Sequence, residues 1–233
     1  MGRKTAEAPY QSALLRGVVR TTIGNAIGFA MLPEMAYERS WQGSNYSMQD
    51  SCGSRGTISF AGEAFVGVFR NDKSERCPWH SKKPYDVEPY FAGIPHDLRQ
   101  LADKQCLRYV LDEFEGKTFP VITCAFWGDG ISERVQAAES WWAMQEHGAR
   151  LTAEDFMTDD EAFEYLEENF EMPAEGVELA RSIFERKWAV GDRTLNLTAE
   201  DMSVLREIAA GKAGLQEARE LFEAVKIRMP RTA

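Results

Sequence analysis

Residues 56–70 read Gly-Thr-Ile-Ser-Phe-Ala-Gly-Glu-Ala-Phe-Val-Gly-Val-Phe-Arg, and this stretch decides the fold. Ile58 and Phe60 alternate with Thr57 and Ser59, the two-residue period of a half-buried strand. Ala61-Gly62-Glu63 interrupts the pattern, with Gly62 able to take a positive φ without steric cost. Phe65, Gly67 and Phe69 then alternate with Ala64, Val66 and Val68, so the second strand is apolar on both faces. A strand of that kind sits centrally, with other elements packed over it.

Working outward, Tyr46-Ser47-Met48 reads as a short strand pairing with this hairpin, inside a Gly- and Ser-rich loop over 41–56. Residues 71–90 form a long irregular segment containing Pro78, Pro84 and Pro89. Leu98, Leu101, Ala102, Cys106, Tyr109, Val110 and Phe114 recur at helical spacing, predicting a helix over 95–115 that stops at Gly116. Residues 119–126 read as another strand of the same sheet, with Pro120 at its entry. Gly128-Asp129-Gly130 turns the chain into a predicted helix over 131–147. Upstream, residues 1–10 read as a leader with no secretion signal. Leu15, Val18, Val19, Ile23 and Ile27 mark a helix over 11–31, in which Gly24 and Gly28 allow close backbone approach.

Beyond Gly148 the pattern is helical to the end. Thr158-Asp159-Asp160-Glu161 has the form of a capping box, and further helices are predicted near 175–188, 198–210 and 214–226. The whole reads as α+β: a small, mainly antiparallel sheet packed against helices over 1–150, followed by an acidic helical region over 151–233. Strands gathered apart from the helices argue against a repeating βαβ fold.

Charge narrows the functional classes. The 233 residues carry a formal net charge of −10. Residues 1–150 are nearly neutral, with 17 basic and 18 acidic residues, while 151–233 hold 10 against 19. Between Leu151 and Glu175 there are ten acids and no Lys or Arg. Direct nucleic-acid binding needs clustered basic residues and is disfavoured. No apolar run reaches the roughly 20 residues of a membrane span. The four cysteines, Cys52, Cys77, Cys106 and Cys124, are widely spaced, which fits free thiols in the cytoplasm.

The catalytic motifs searched for are weak. Gln49-Asp50-Ser51-Cys52-Gly53-Ser54 superficially resembles the sequence around the catalytic cysteine of papain-like peptidases. The family's nucleophile slot is occupied here by Arg55, and a strand follows where the family has a helix. Cys52 paired with a histidine, His80 among the three candidates, is the enzymatic alternative, a cysteine-dependent hydrolase. Cys77-Pro78-Trp79-His80 offers two soft metal ligands without the second pair of a structural zinc site, so no metal is assigned. Phosphate-binding and nucleotide motifs are missing, and no cofactor is called for.

The expectation is an acidic, cytoplasmic protein-binding protein of the immunity, antitoxin or inhibitor kind. Its partner would be a basic protein. The expected contact residues are Asp155, Asp159, Asp160, Glu164, Glu167, Glu168 and Glu171, which lack the nearby cations that normally offset such a run.

Overall fold

A computed structural model of the chain describes residues 7–81 and 84–230. Most of the leader and the two lysines at 82 and 83 lie outside the described residues. In chain order the elements are α1 (Gln11–Met31), β1 (Arg39–Gln42), β2 (Asn45–Gln49), β3 (Ser54–Ala61), β4 (Ala64–Asn71), α2 (His96–Lys104), β5 (Leu111–Phe114), β6 (Lys117–Pro120), β7 (Cys124–Gly128), β8 (Gln136–Ala137) and α3 (Trp141–Glu146). Then follow α4 (Asp159–Phe170), α5 (Ala174–Val190), β9 (Leu195–Asn196), α6 (Ala199–Ile208), α7 (Gly211–Ala224) and β10 (Ile227–Arg228). The fold is α+β. The chain groups into two compact units, residues 1–12 with 41–153, and residues 13–40 with 154–233.

The first unit is built on a six-stranded sheet in the order β1-β2-β3-β4-β7-β8. β3 and β4 form the hairpin, Ala61 facing Ala64 across a two-residue turn whose first residue, Gly62, has φ +66°. β4 lies between β3 and β7 and pairs antiparallel with both. Its Val66 and Val68 join Phe91, Leu98, Ala102, Cys106, Leu107 and Val110 in one apolar cluster. On the other face Phe69 stacks on Phe126 at 5.5 Å, and Phe65 meets Phe126 edge-on at 6.2 Å. Gly56 and Gly67 make room for these rings. A Cβ on Gly56 would stand 2.2 Å from the Phe69 ring, and one on Gly67 2.7 Å from Phe126.

Three predicted elements come out differently. The helix expected over 95–115 ends at Lys104, passes through a 3-10 turn at Cys106–Tyr109, and gives way to β5, which pairs with β6. Glu115 and Gly116 take positive φ at that hairpin tip, a tight turn that the helical spacing concealed. The strand expected over 119–126 splits into β6 and β7, because Thr123 turns aside to bond the carbonyls of Phe69 and His147. The helix expected over 131–147 shrinks to α3. The Asp129 carboxylate accepts from the backbone N–H groups of Ile131 and Ser132 and holds that stretch in a turn, leaving Ile131 90% exposed.

In the second unit α1 packs against α4 through its glycines. A Cβ on Gly24 would stand 2.7 Å from Leu166, and one on Gly28 2.7 Å from the Phe170 ring. Gly17 lies closer still, its Cβ position 1.7 Å from the Asp155 carbonyl oxygen. Phe163 and Phe184 tie α4 to α5 at 6.2 Å, and a short parallel pair, β9 with β10, closes the C-terminal end. Thr158 and Thr198 cap α4 and α6 with capping boxes.

Close helix approach makes a prediction. Alanine in place of glycine ordinarily strengthens a helix by about 1 kcal/mol. At Gly28 the added methyl must displace the buried Phe170 ring, at a cost of about 1–3 kcal/mol, so Gly28→Ala is expected to forfeit the usual gain and to lower stability by up to about 2 kcal/mol net, read as a lower urea midpoint. A raised midpoint would contradict the packing described.

Candidate functional site

The acids of the 151–175 run separate into two sets. One set is paired with cations distant in sequence. Glu154 pairs with Arg39 at 3.0 Å. Asp159 receives both Arg16 and Arg20 from α1, the second at 2.8 Å. Burial works against the Asp159 anion, yet the two guanidiniums more than offset it and hold the carboxyl below its usual range. Asp160 pairs with Arg181 at 3.0 Å while remaining 84% exposed. The Arg181 guanidinium also lies over the Phe163 ring.

Asp155 leaves the expected contact set altogether. It is 1% exposed, on a 3-10 turn directly before α4, so it cannot meet a partner. Burial drives its pKa up to about 7, against the opposing pull of Arg39. Glu154 adds to the rise, while Thr21 and Arg20 favour the anion. Among the described residues its Oδ1 has no hydrogen-bond partner.

The other set is Glu164, Glu167, Glu168 and Glu171. All four are exposed, and the ion pairs among the described residues include none of them. Ala162, Phe163, Leu166 and Phe170 are the buried positions of α4, which leaves this group on the solvent side. Glu164, Glu168 and Glu171 fall at i, i+4 and i+7, a stripe about 10 Å long at 1.5 Å per residue. The stripe runs to the wrong end of the helix. Carboxylates are favoured at a helix N-terminus and disfavoured at the C-terminus, and no basic residue occupies the last turn of α4. Glu171 itself holds a left-handed conformation, φ +48°, where glycine is the unstrained choice.

Cys52 is exposed in the turn after β2, where the Asp50 carboxylate accepts from the backbone N–H of Cys52 and Ser54. Among the described residues no hydrogen bond joins its thiol to a histidine. His80 Nε2 lies 2.9 Å from the Asp72 carbonyl, His96 meets Gln100, and His147 Nδ1 meets the Ser74 hydroxyl at 2.8 Å. Cys77 and Cys106 point at the carbonyls of Asn71 and Val66, and burial pushes their thiols up to about 12 and about 11. Among the described residues no group of three or more His, Cys, Asp or Glu side chains is placed to hold a metal ion.

The 71–81 loop is held by charge. Arg70 is 1% exposed, pairs with Asp72 at 2.6 Å and Asp112 at 2.5 Å, and lies over the Trp79 ring. This makes the polar turn after the hairpin a structural knot. The neutralising arginines escaped sequence reading because Arg16 and Arg20 lie about 140 residues from Asp159, far outside any i,i+4 window.

Asp155 supplies a pH test. Its folded pKa stands above the unfolded value near 3.8, so the folded state holds a proton that the unfolded state releases between those values. Stability is therefore full below about pH 4, falls as pH rises, and levels off above about pH 7. Asp155→Asn removes the titration. Its stability relative to wild type is expected to rise across that window by about 3–4 kcal/mol at 1.36 kcal/mol per pKa unit. Urea unfolding from pH 4 to pH 8 measures it, and a pH-independent difference would refute the assignment.

No helix among the described residues is long and apolar enough to cross a membrane. The chain matches no protein-family model, no curated protein and no solved structure.

Proposed function

We propose that this protein binds a basic protein partner through the outer face of α4, in the manner of an immunity, antitoxin or inhibitor protein. One observation carries the reading. Among the described residues the unit pairs arginines with Glu154, Asp159 and Asp160 and none with Glu164, Glu167, Glu168 and Glu171. Glu164 and Glu168 repel each other at i,i+4, and Glu167, Glu168 and Glu171, in or beside the last turn, oppose the helix dipole. A sequence selected for stability alone would place lysine or arginine there. Departures of this kind from local preference collect at functional sites. A basic partner would relieve the repulsion and gain from electrostatic steering.

The binding residues under this reading are Glu164, Glu167, Glu168 and Glu171, with Asp160 at the edge of the stripe. Asp159 serves the fold through Arg16 and Arg20.

The test separates binding from folding. The double variant Glu164→Lys/Glu168→Lys is expected to unfold at the same or a higher temperature than wild type at low salt, because repulsion is relieved. It is also expected to lose a partner that wild type retains from host extract at 50 mM salt and releases at 500 mM. A partner held equally by wild type and variant, or one indifferent to salt, would overturn the reading.

A further inference from the structure

Three guanidiniums and three carboxyls meet where α1 approaches the start of α4. Arg20 donates to Asp159 and to the carbonyl oxygen of Glu154, both at 2.8 Å. Arg16 donates to the same Asp159 carboxylate, and Arg39 to that of Glu154 at 3.0 Å. The third carboxyl, Asp155, directly follows Glu154 in the chain and is 1% exposed. With Asp155 protonated, three positive charges face only the two negative charges of Glu154 and Asp159. The surplus shows in the pairing: Asp159 holds two arginines, while the ion pairs among the described residues include none to Asp155.

The hydrogen bonding is incomplete at the same place. Among the described residues, Arg20 Nε and Asp155 Oδ1 are buried without hydrogen-bond partners. One is a donor and the other an acceptor, and Arg20 already bonds the residue before Asp155. A cavity of about 10 Å³, lined by Arg20, Thr21, Glu154, Ala162, Tyr165 and Leu166, gives the Arg20 side chain room to shift. Its size is about that of one water molecule.

The groups that act on Asp155 are Arg20 and Thr21 of α1, Arg39 at the start of β1, and Glu154. Burial and Glu154 oppose its anion, while Arg39, Thr21 and Arg20 favour it. Tyr165 of α4 lies near Glu154, Arg39 and Glu38, and burial pushes its hydroxyl up to about 12, so it stays neutral. Asp159 and Glu161 are both held below the usual carboxylate range and stay ionised, the first through its two arginines and the second through the backbone N–H of Thr158. Asp155 is thus the member of the cluster whose charge changes around neutral pH.

We propose that Asp155 and Asp159 compete for Arg20, so that loss of the Asp155 proton moves this guanidinium from Asp159 to Asp155. The proton leaves to solvent, Arg20 Nε and Asp155 Oδ1 satisfy each other, and Asp159 keeps Arg16. The first turn of α4 is then held to α1 by one ion pair in place of two. The cluster is a pH-dependent fastening between the two helices.

NMR of the isotopically labelled full chain tests this between about pH 5.5 and about pH 8.5, with Arg20, Asp155 and Asp159 assigned through the backbone. The Asp155 carboxyl carbon is expected to titrate in this range. Nuclear Overhauser contacts from the Arg20 Hδ protons to the Asp159 Hβ protons are expected at the acidic end. They are expected to be lost at the alkaline end, where contacts to the Asp155 Hβ protons replace them. Asp155→Asn, neutral at every pH, is expected to keep the acidic-end pattern throughout. Contacts that stay the same across the titration, or that change equally in Asp155→Asn, overturn the proposal, and so does an Asp155 carboxyl that does not titrate in this range.

Discussion

β4 is apolar on both faces, and the first unit is arranged to keep both of them dry. One face carries Val66 and Val68 and is covered by residues of α2 and the 3-10 turn after it. The other carries Phe65 and Phe69 and is covered by an aromatic layer that includes Phe126. Two-sided burial requires neighbours on both edges as well, since an open strand edge leaves backbone groups unpaired. β3 and β7 provide them. Where β4 ends, the chain meets Arg70, a buried cation that must be paired because an isolated buried charge is costly. Asp72 and Asp112 pair it, and through Asp112 the β5–β6 hairpin is tied to the strand that the sheet depends on.

The second unit solves a different problem. Its helices must approach closely without the cover of a large sheet, and glycine at positions 17, 24 and 28 of α1 lets backbone and large side chains nest against that helix. The same helix delivers Arg16 and Arg20 to Asp159 at the start of α4. Packing and charge therefore act at the two ends of one contact: hydrophobic nesting at Leu166 and Phe170, ion pairing at Asp159. Arg16 serves both, because its guanidinium also lies 4.6 Å from the Phe184 ring and 4.8 Å from that of Trp188.

The proposed binding surface follows from what this arrangement leaves over. Acids at the N-terminal turn of α4 are matched by arginines, by the capping box and by the helix dipole. Those at its C-terminal turn have none of these compensations. Surface charges are cheap to leave alone, so exposure alone would say little. What sets these acids apart is that they gather toward the end of a helix, where the backbone field also opposes them.

Local structure was legible wherever a short pattern has one physical solution. Alternation with a glycine turn made the β3–β4 hairpin, and two-faced apolarity made β4 central. Capping residues placed the starts of α4 and α6, and the glycine pair marked the close face of α1. Where two patterns were compatible with one stretch, the reading failed. Residues 111–114 fit both helical spacing and a hairpin, and the left-handed turn at Glu115-Gly116 chose the hairpin. Residues 131–140 carried helical spacing, but the Asp129 carboxylate captured the backbone N–H groups a helix would have needed. Which acids go unpaired among the described residues was set by long-range packing. Asp155 and Glu164 belong to the same charge run, yet one is buried beside α1 and the other faces solvent. Charge state and exposure depend on neighbours brought from 100 residues away and more, and no local pattern encodes that distance.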